Sequence, residues 1–183
     1  LSEVSHRGRA IARATELPAI IDADTGFGEP MNAARTVQEL EELGLCGCHF
    51  EDQQNPKRCG HLDGKSLVSV SEMVKKIRAA AKARRATNFV VIARTDARAG
   101  EGLDGAINRA KAYVDAGADM IFAEALADAG EFEKFKKAVN VPLLANMTEF
   151  GKSKLLTTQQ LADAGVNVVI YPVTTLRLAM KAV

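Results

Sequence analysis

Three segments of this chain repeat one short pattern: Glu42-Leu43-Gly44-Leu45, Asp115-Ala116-Gly117-Ala118 and Asp163-Ala164-Gly165-Val166. In each, a helical pattern runs into a glycine and then at once into an apolar run of strand length. Glycine supplies the left-handed backbone that stops a helix. A repeated unit of helix, glycine and strand constrains the fold more than any other feature, because alternating helices and strands join into a parallel sheet through right-handed crossovers.

Strand-length runs recur at Ala19-Ile20-Ile21, Cys46 to Phe50, Phe89 to Ala93, Met120 to Ala123, Pro142 to Ala145 and Val166 to Tyr171. Between them lie helical stripes. One spans 32–43, with Val37, Leu40 and Leu43 on one face; a second starts near Ser71; a third, Leu103 to Ala116, aligns Leu103, Ile107, Ala110 and Val114. Shorter helices are predicted over 131–138, 157–164 and 174–183, and a further one ahead of the first strand, leading through Leu17-Pro18.

Six such units are two short of an eightfold barrel. An open doubly wound sheet is the competitor, but Gly26-Phe27-Gly28 lacks the third glycine of a dinucleotide fingerprint. The expected class is therefore α/β, a (β/α)8 TIM-type barrel, with 1–183 as a single partial domain.

The 24 basic and 23 acidic residues nearly cancel and are mixed along the chain, which argues against nucleic acid or an anionic membrane as partner. No apolar run reaches the roughly 18 residues of a membrane span. Three cysteines are too few for a disulfide framework, and a cytoplasmic location is expected.

The strand ends are polar. In order they carry Asp22 and Asp24, Glu51 and Asp52, Arg94 and Asp96, Glu124, Asn146 and Tyr171. In a parallel barrel these positions converge on the rim where barrel enzymes place their chemistry. A lone aspartate after a strand is most simply a helix cap. Asp22-Ala23-Asp24 differs, because alternation puts two carboxylates on one side of the chain, where repulsion is costly unless a cation neutralises it. With Glu51, the rim offers hard oxygen ligands suited to magnesium or manganese.

Cys46 and Cys48 fit core positions. Cys59 lies instead in a long polar loop, 53–65, beside Lys57, Arg58 and His61, where positive charge favours thiolate and makes a thiol a tunable acid. A loop of this length in a compact domain fits a mobile active-site element; an exposed cysteine without a role is the plain alternative.

Five segments carry a resemblance: Asp22-Ala23-Asp24-Thr25-Gly26-Phe27-Gly28, His49-Phe50-Glu51-Asp52-Gln53, Lys57-Arg58-Cys59-Gly60-His61, Ala93-Arg94-Thr95-Asp96-Ala97 and Asn146-Met147-Thr148-Glu149-Phe150-Gly151. Together they resemble the isocitrate lyase and phosphoenolpyruvate mutase superfamily, and the cysteine loop is specific to its lyase branch. The last segment is similar to that of bacterial 2-methylisocitrate lyases.

The resemblance implies Mg2+-dependent cleavage of a small tricarboxylate, 2-methylisocitrate, to pyruvate and succinate in propionate breakdown, with isocitrate cleavage as the rival. It implies Asp22, Asp24 and Glu51 around the metal, and Cys59 as proton donor with Lys57, Arg58 and His61 tuning it. Arg94, Glu124, Asn146, Thr148 and Gly60 would hold substrate. Members of this family are longer, with two further strands ahead of this segment and helices exchanged in a homotetramer after it. A truncated barrel, and an inactive remnant as one reading of it, are therefore expectations here.

Overall fold

A computed structural model describes residues 1–183. Helix α1 (Ser2–Thr15) precedes strand β1 (Ile20–Asp22), and strictly alternating elements follow: α2 (Pro30–Glu42), β2 (Gly47–Glu51), α3 (Val70–Ala83), β3 (Val90–Thr95), α4 (Arg98–Asp115), β4 (Met120–Ala123), α5 (Ala129–Ala138), β5 (Leu143–Asn146), α6 (Thr158–Asp163), β6 (Val168–Ile170) and α7 (Thr174–Ala182). The six strands form one parallel sheet in the order β1-β2-β3-β4-β5-β6.

That order decides between the two competing architectures. A doubly wound sheet reverses direction partway, whereas here each strand pairs with the next without reversal. Right-handed crossovers that always advance the same way place every helix on one face. The sheet is therefore a half-barrel wall, with helices outside and a concave inner face.

The three repeat glycines hold the expected left-handed conformation, with φ of 79° at Gly44, 109° at Gly117 and 88° at Gly165. Helices α2 to α5 start earlier than the apolar stripes indicate, while α6 and α7 start within a residue of expectation, and side-chain caps or a proline mark several of these starts. Ser69 and Glu72 cap α3 reciprocally, Thr157 and Gln160 do the same for α6, and Pro30 occupies the first turn of α2. Helix α4 begins at Arg98, ahead of the predicted Leu103, and breaks at Gly102 (φ 73°) before its main run.

Alternation sorts side chains between two apolar layers. The cluster between sheet and helices contains 32 buried residues, among them Cys48, Phe50, Val91, Ile121, Leu143 and Tyr113. The inner face carries Ile92, Phe122 and Leu144, flanked by Val90, Met120, Val168 and Ile170. Cys48 is a core residue as expected, and burial pushes its thiol pKa up; Cys46 is half-buried. No helix is long and apolar enough to cross a membrane.

Candidate active site at the strand ends

The inner-face positions continue upward from the apolar layer into Asp22, Glu51, Arg94, Glu124 and Asn146. Strand register sets Asp22 beside His49 and Glu51 beside Arg94. Beyond β1, Asp24 takes a left-handed conformation (φ 48°), and its carbonyl accepts from Glu51 N at 2.8 Å. The turn is braced from behind, where Lys76 Nζ donates to Thr25 O at 3.0 Å and Asn55 Nδ2 to Thr25 Oγ1 at 2.9 Å.

Arg94 is the centre of the charge arrangement. Its guanidinium pairs bidentately with Asp96 (Nε–Oδ2 2.9 Å, NH2–Oδ1 3.2 Å), lies 3.3 Å from Glu51 Oε2 and 3.7 Å from Glu124 Oε2, and stacks 5.0 Å over Phe122. Burial opposes its charge, but Glu124, Asp96 and Glu51 outweigh that and hold its pKa above the ordinary value. Asp96 shows the converse balance: burial works against its anion, yet Arg94 and Lys65 hold it below the usual carboxylate range.

Glu51 differs from the other carboxylates. It is 1% exposed and neither oxygen accepts a hydrogen bond. Burial pushes its pKa up to about 7, with Arg94 and Lys57 working against the shift. An orphaned buried carboxylate marks a place for a cation. Lys57 takes that place here, with Nζ at 2.7 Å from Asp24 Oδ1 and 3.7 Å from Glu51 Oε1. No three His, Cys, Asp or Glu side chains gather closely enough to share one ion. Asp22 Oδ1 accepts from Asp24 N at 2.9 Å, a local side-chain turn and not a helix cap, since α2 is capped by Glu29, while its side chain stays 51% exposed.

The loop folds over this cluster. An antiparallel bridge between Gln53 and Leu67 closes its neck, and the Gln53 amide clasps the Arg58 backbone through both N and O. His61 Nε2 reaches Glu124 Oε1 at 2.8 Å, within 3.5 Å of Asn146 Nδ2, and His61 Nδ1 accepts from Lys152 N at 2.9 Å. Gly60 is buried against Glu124 and Arg94; a Cβ there would lie 2.4 Å from Glu124 Cγ.

His61, Gly60, Arg94, Glu124 and Asn146 therefore form one contact set, with Thr148 half-buried at its border beside Gly151. Cys59 is free and exposed next to Gly60. Its cationic neighbours are engaged elsewhere, Lys57 with Asp24 and Arg58 NH1 with Asp63 O at 3.3 Å.

Two residues of the site escape the sequence reading. His49 lies on the inner face, edge-on to Phe122 at 5.3 Å and 3.7 Å from Asp22 Oδ1, and strand alternation with Glu51 would have found it. Lys65 bridges Gly60 O and Asp96, and no local pattern announces it. Asp52, in contrast, leaves the rim: it points to the helix side, 0% exposed, where it accepts from Thr95 Oγ1, Asp96 N and Tyr113 OH.

The chain is similar in sequence to curated proteins and in fold to solved structures. It is 65% identical over 183 residues to a probable 2-methylisocitrate lyase of Corynebacterium glutamicum, covering all of this chain and 60% of that protein. It is 52% identical over 181 residues to the 2-methylisocitrate lyase of Bacillus subtilis, covering 99% of this chain and 60% of that one. The crystal structure of a 2,3-dimethylmalate lyase superposes with a TM-score of 0.95 at 35% identity, over 99% of this chain and 62% of that chain. The chain thus spans about 60% of the length of the curated relatives it matches. The family model for phosphoenolpyruvate phosphomutase matches residues 1–183, and the chain belongs to that family, within the phosphoenolpyruvate mutase and isocitrate lyase superfamily.

Proposed function

We propose that this chain is part of a carbon–carbon lyase that cleaves 2-methylisocitrate to pyruvate and succinate. One observation carries the reading from geometry. The loop bearing Cys59 docks through Gly60 and His61 onto Arg94 and Glu124, at the mouth of a sheet whose buried Glu51 carboxylate has no hydrogen-bond partner. A thiol, a guanidinium and a cation-seeking carboxylate cluster are the parts that such a cleavage needs.

The residues present fit Mg2+, or Mn2+ in its place. Asp22, Asp24, Glu51, Asp96 and Glu124 face Lys57, Lys65 and Arg94, five carboxylates against three cations, and their excess negative charge suits a divalent ion. Asp22 would hold the ion, directly or through water shared with Asp24 and Glu51, once Lys57 withdraws. When bound, it would polarise the hydroxyl and carboxylate of the substrate.

The chain's own residues account for the remaining steps. Arg94 binds a substrate carboxylate with its planar fork. Glu124, Asn146 and Thr148 orient further polar groups. The hydroxyl proton passes to a carboxylate of the rim as the adjacent carbon–carbon bond breaks, giving the ketone of pyruvate and leaving the electron pair on the succinate fragment. Cys59 delivers its thiol proton to that carbon, and Lys57, Arg58 and His61 stabilise the thiolate left behind.

Loop 53–65 is mobile in this reading, because substrate must enter where Gly60 and His61 now sit. The strand order and the resemblance together support an eight-stranded closed barrel, six of whose strands are seen here; the resemblance alone implies a cytoplasmic homotetramer. The test compares pyruvate release from 2-methylisocitrate with glyoxylate release from isocitrate by the full-length protein in Mg2+. A preference for isocitrate would overturn the substrate assignment, and release of neither would overturn the lyase.

A further inference from the structure

Lys65 stands near the end of the loop, yet its ammonium does not reach solvent. Only 5% of its side chain is exposed, and its partner Asp96 is wholly covered. Nζ donates to two acceptors: the Gly60 carbonyl, and Asp96 Oδ1 at 3.2 Å. Burying a lysine is costly unless both charge and donors are matched. Here one match is a carboxylate of the rim and the other is the carbonyl of Gly60, the residue that follows Cys59.

Asp96 is in turn fixed on three sides. Its carboxylate holds Arg94 Nε and NH2, and its backbone N–H donates to Asp52 Oδ1 at 2.9 Å. Asp52 is anchored by Tyr113 OH at 2.8 Å on the helix side. A continuous path of hydrogen bonds therefore runs from the covered helix layer through Asp52, Asp96 and Lys65 to the Gly60 carbonyl. The loop's other ties are of different kinds. The Gln53 clasp fixes Arg58 within the loop itself, and His61 meets Glu124 with its tip. Lys65 alone ties the Cys59–Gly60 backbone to the pair that holds Arg94.

We infer that Lys65 is a positioning residue, setting the height of the Gly60–His61 peptide, and with it the adjoining Cys59, over the site by bridging the Gly60 carbonyl to the Asp96–Arg94 pair. The inference rests on Cys59 being the proton donor of the proposed lyase. Its consequence is that Lys65 governs loop placement and proton delivery more than substrate capture, which belongs to Arg94.

The test uses Lys65→Met in the full-length protein, with two readouts. In the seated loop Lys57 is paired with Asp24 and the Arg58 backbone is clasped by Gln53, so trypsin should cut after Lys57 and Arg58 faster when the loop lifts, and the rate of appearance of fragments starting at Arg58 or Cys59 reports loop release without any turnover. Loss of a charge-assisted tie should raise that rate on the order of tenfold to a hundredfold. Turnover should fall by a similar factor, with KM changed less than about threefold. If Lys65→Met loses cooperative urea unfolding, Lys65→Gln carries the same test.

Unchanged loop cleavage, or cleavage rising equally at sites outside the loop, would overturn the inference. So would a rise in KM with kcat retained. Should the parent protein release no pyruvate from 2-methylisocitrate, the lyase reading falls while the trypsin arm still decides the placement of the loop.

Discussion

Gly60 lies against Glu124 with no room for a methyl group: a Cβ would sit 2.4 Å from Glu124 Cγ and 2.6 Å from Arg94 NH2. Both neighbours are held by buried ion pairs and cannot yield freely. Gly60→Ala should therefore keep the loop from seating and lower turnover on the order of tenfold or more, while leaving the urea midpoint unchanged, since overpacking costs are avoided when a surface loop lifts. A large loss of global stability with normal turnover would show that the loop does not need this seat.

The contrast between Glu51 and Asp52 shows how far such a site is legible in sequence. Period-2 alternation is enough to place Asp22, Glu51, Arg94, Glu124 and Asn146 on one face, and the structure puts them there. The same alternation sends Asp52 to the helix side, although its position at a strand end had suggested the rim. The glycines that end α2, α4 and α6 were legible because their left-handed backbone excludes most other residues. Lys65, Lys76 and Arg109 were not, because each acts across 31 to 57 residues of sequence on a partner that only the fold brings near. The kink at Gly102 was equally hidden, since one glycine inside a helical stripe is usually tolerated.

Cys59 is exposed and free at the edge of the docked loop, next to Gly60. If it supplies the final proton, Cys59→Ser should lower kcat on the order of a hundredfold or more, because a hydroxyl is a far weaker acid. Succinate and pyruvate should bind as before by calorimetry, since the substrate contacts proposed above lie on Arg94, Glu124 and Asn146. Wild-type turnover in the serine variant would remove Cys59 from the role.

The unpartnered oxygens of Glu51 and the exposed carboxylate of Asp22 make a further claim testable without activity. Asp22→Asn removes one negative charge from the group facing Lys57. Mn2+ binding, followed by electron paramagnetic resonance, should weaken on the order of tenfold or more. Equal affinity in parent and variant would assign the ion, if bound, to other residues.

Tyr113 is fully buried behind the site and gives its hydroxyl proton to Asp52 Oδ2 at 2.8 Å, with Arg109 NH1 donating to the same hydroxyl at 3.2 Å. Tyr113→Phe leaves Asp52 buried with one donor fewer. The expected cost is about 1–3 kcal/mol, read from urea denaturation with an unchanged slope. A neutral result would mean that Thr95, Arg109 and the Asp96 backbone N–H satisfy the carboxylate without the tyrosine.

Arg109 also grips Glu101, across the Gly102 kink, through two hydrogen bonds of 2.8 and 2.6 Å. The Arg109 hydrogen bond is the largest influence on Glu101 and holds its carboxyl below the usual carboxylate range. A carboxylate whose folded pKa is depressed contributes stability above its unfolded value, near about 4.3, and loses it as pH falls through the folded value. Because Glu101 is 41% exposed, the screened pair contributes at most about 1 kcal/mol. Glu101→Gln should therefore unfold at lower urea than the parent at pH 7. The gap should narrow steadily below about pH 5, as the parent's carboxylate takes up its proton, and should also shrink in high salt at pH 7. A gap that is the same at pH 7 and pH 3.5 would mean that Glu101 acts through packing across the kink and not through its charge.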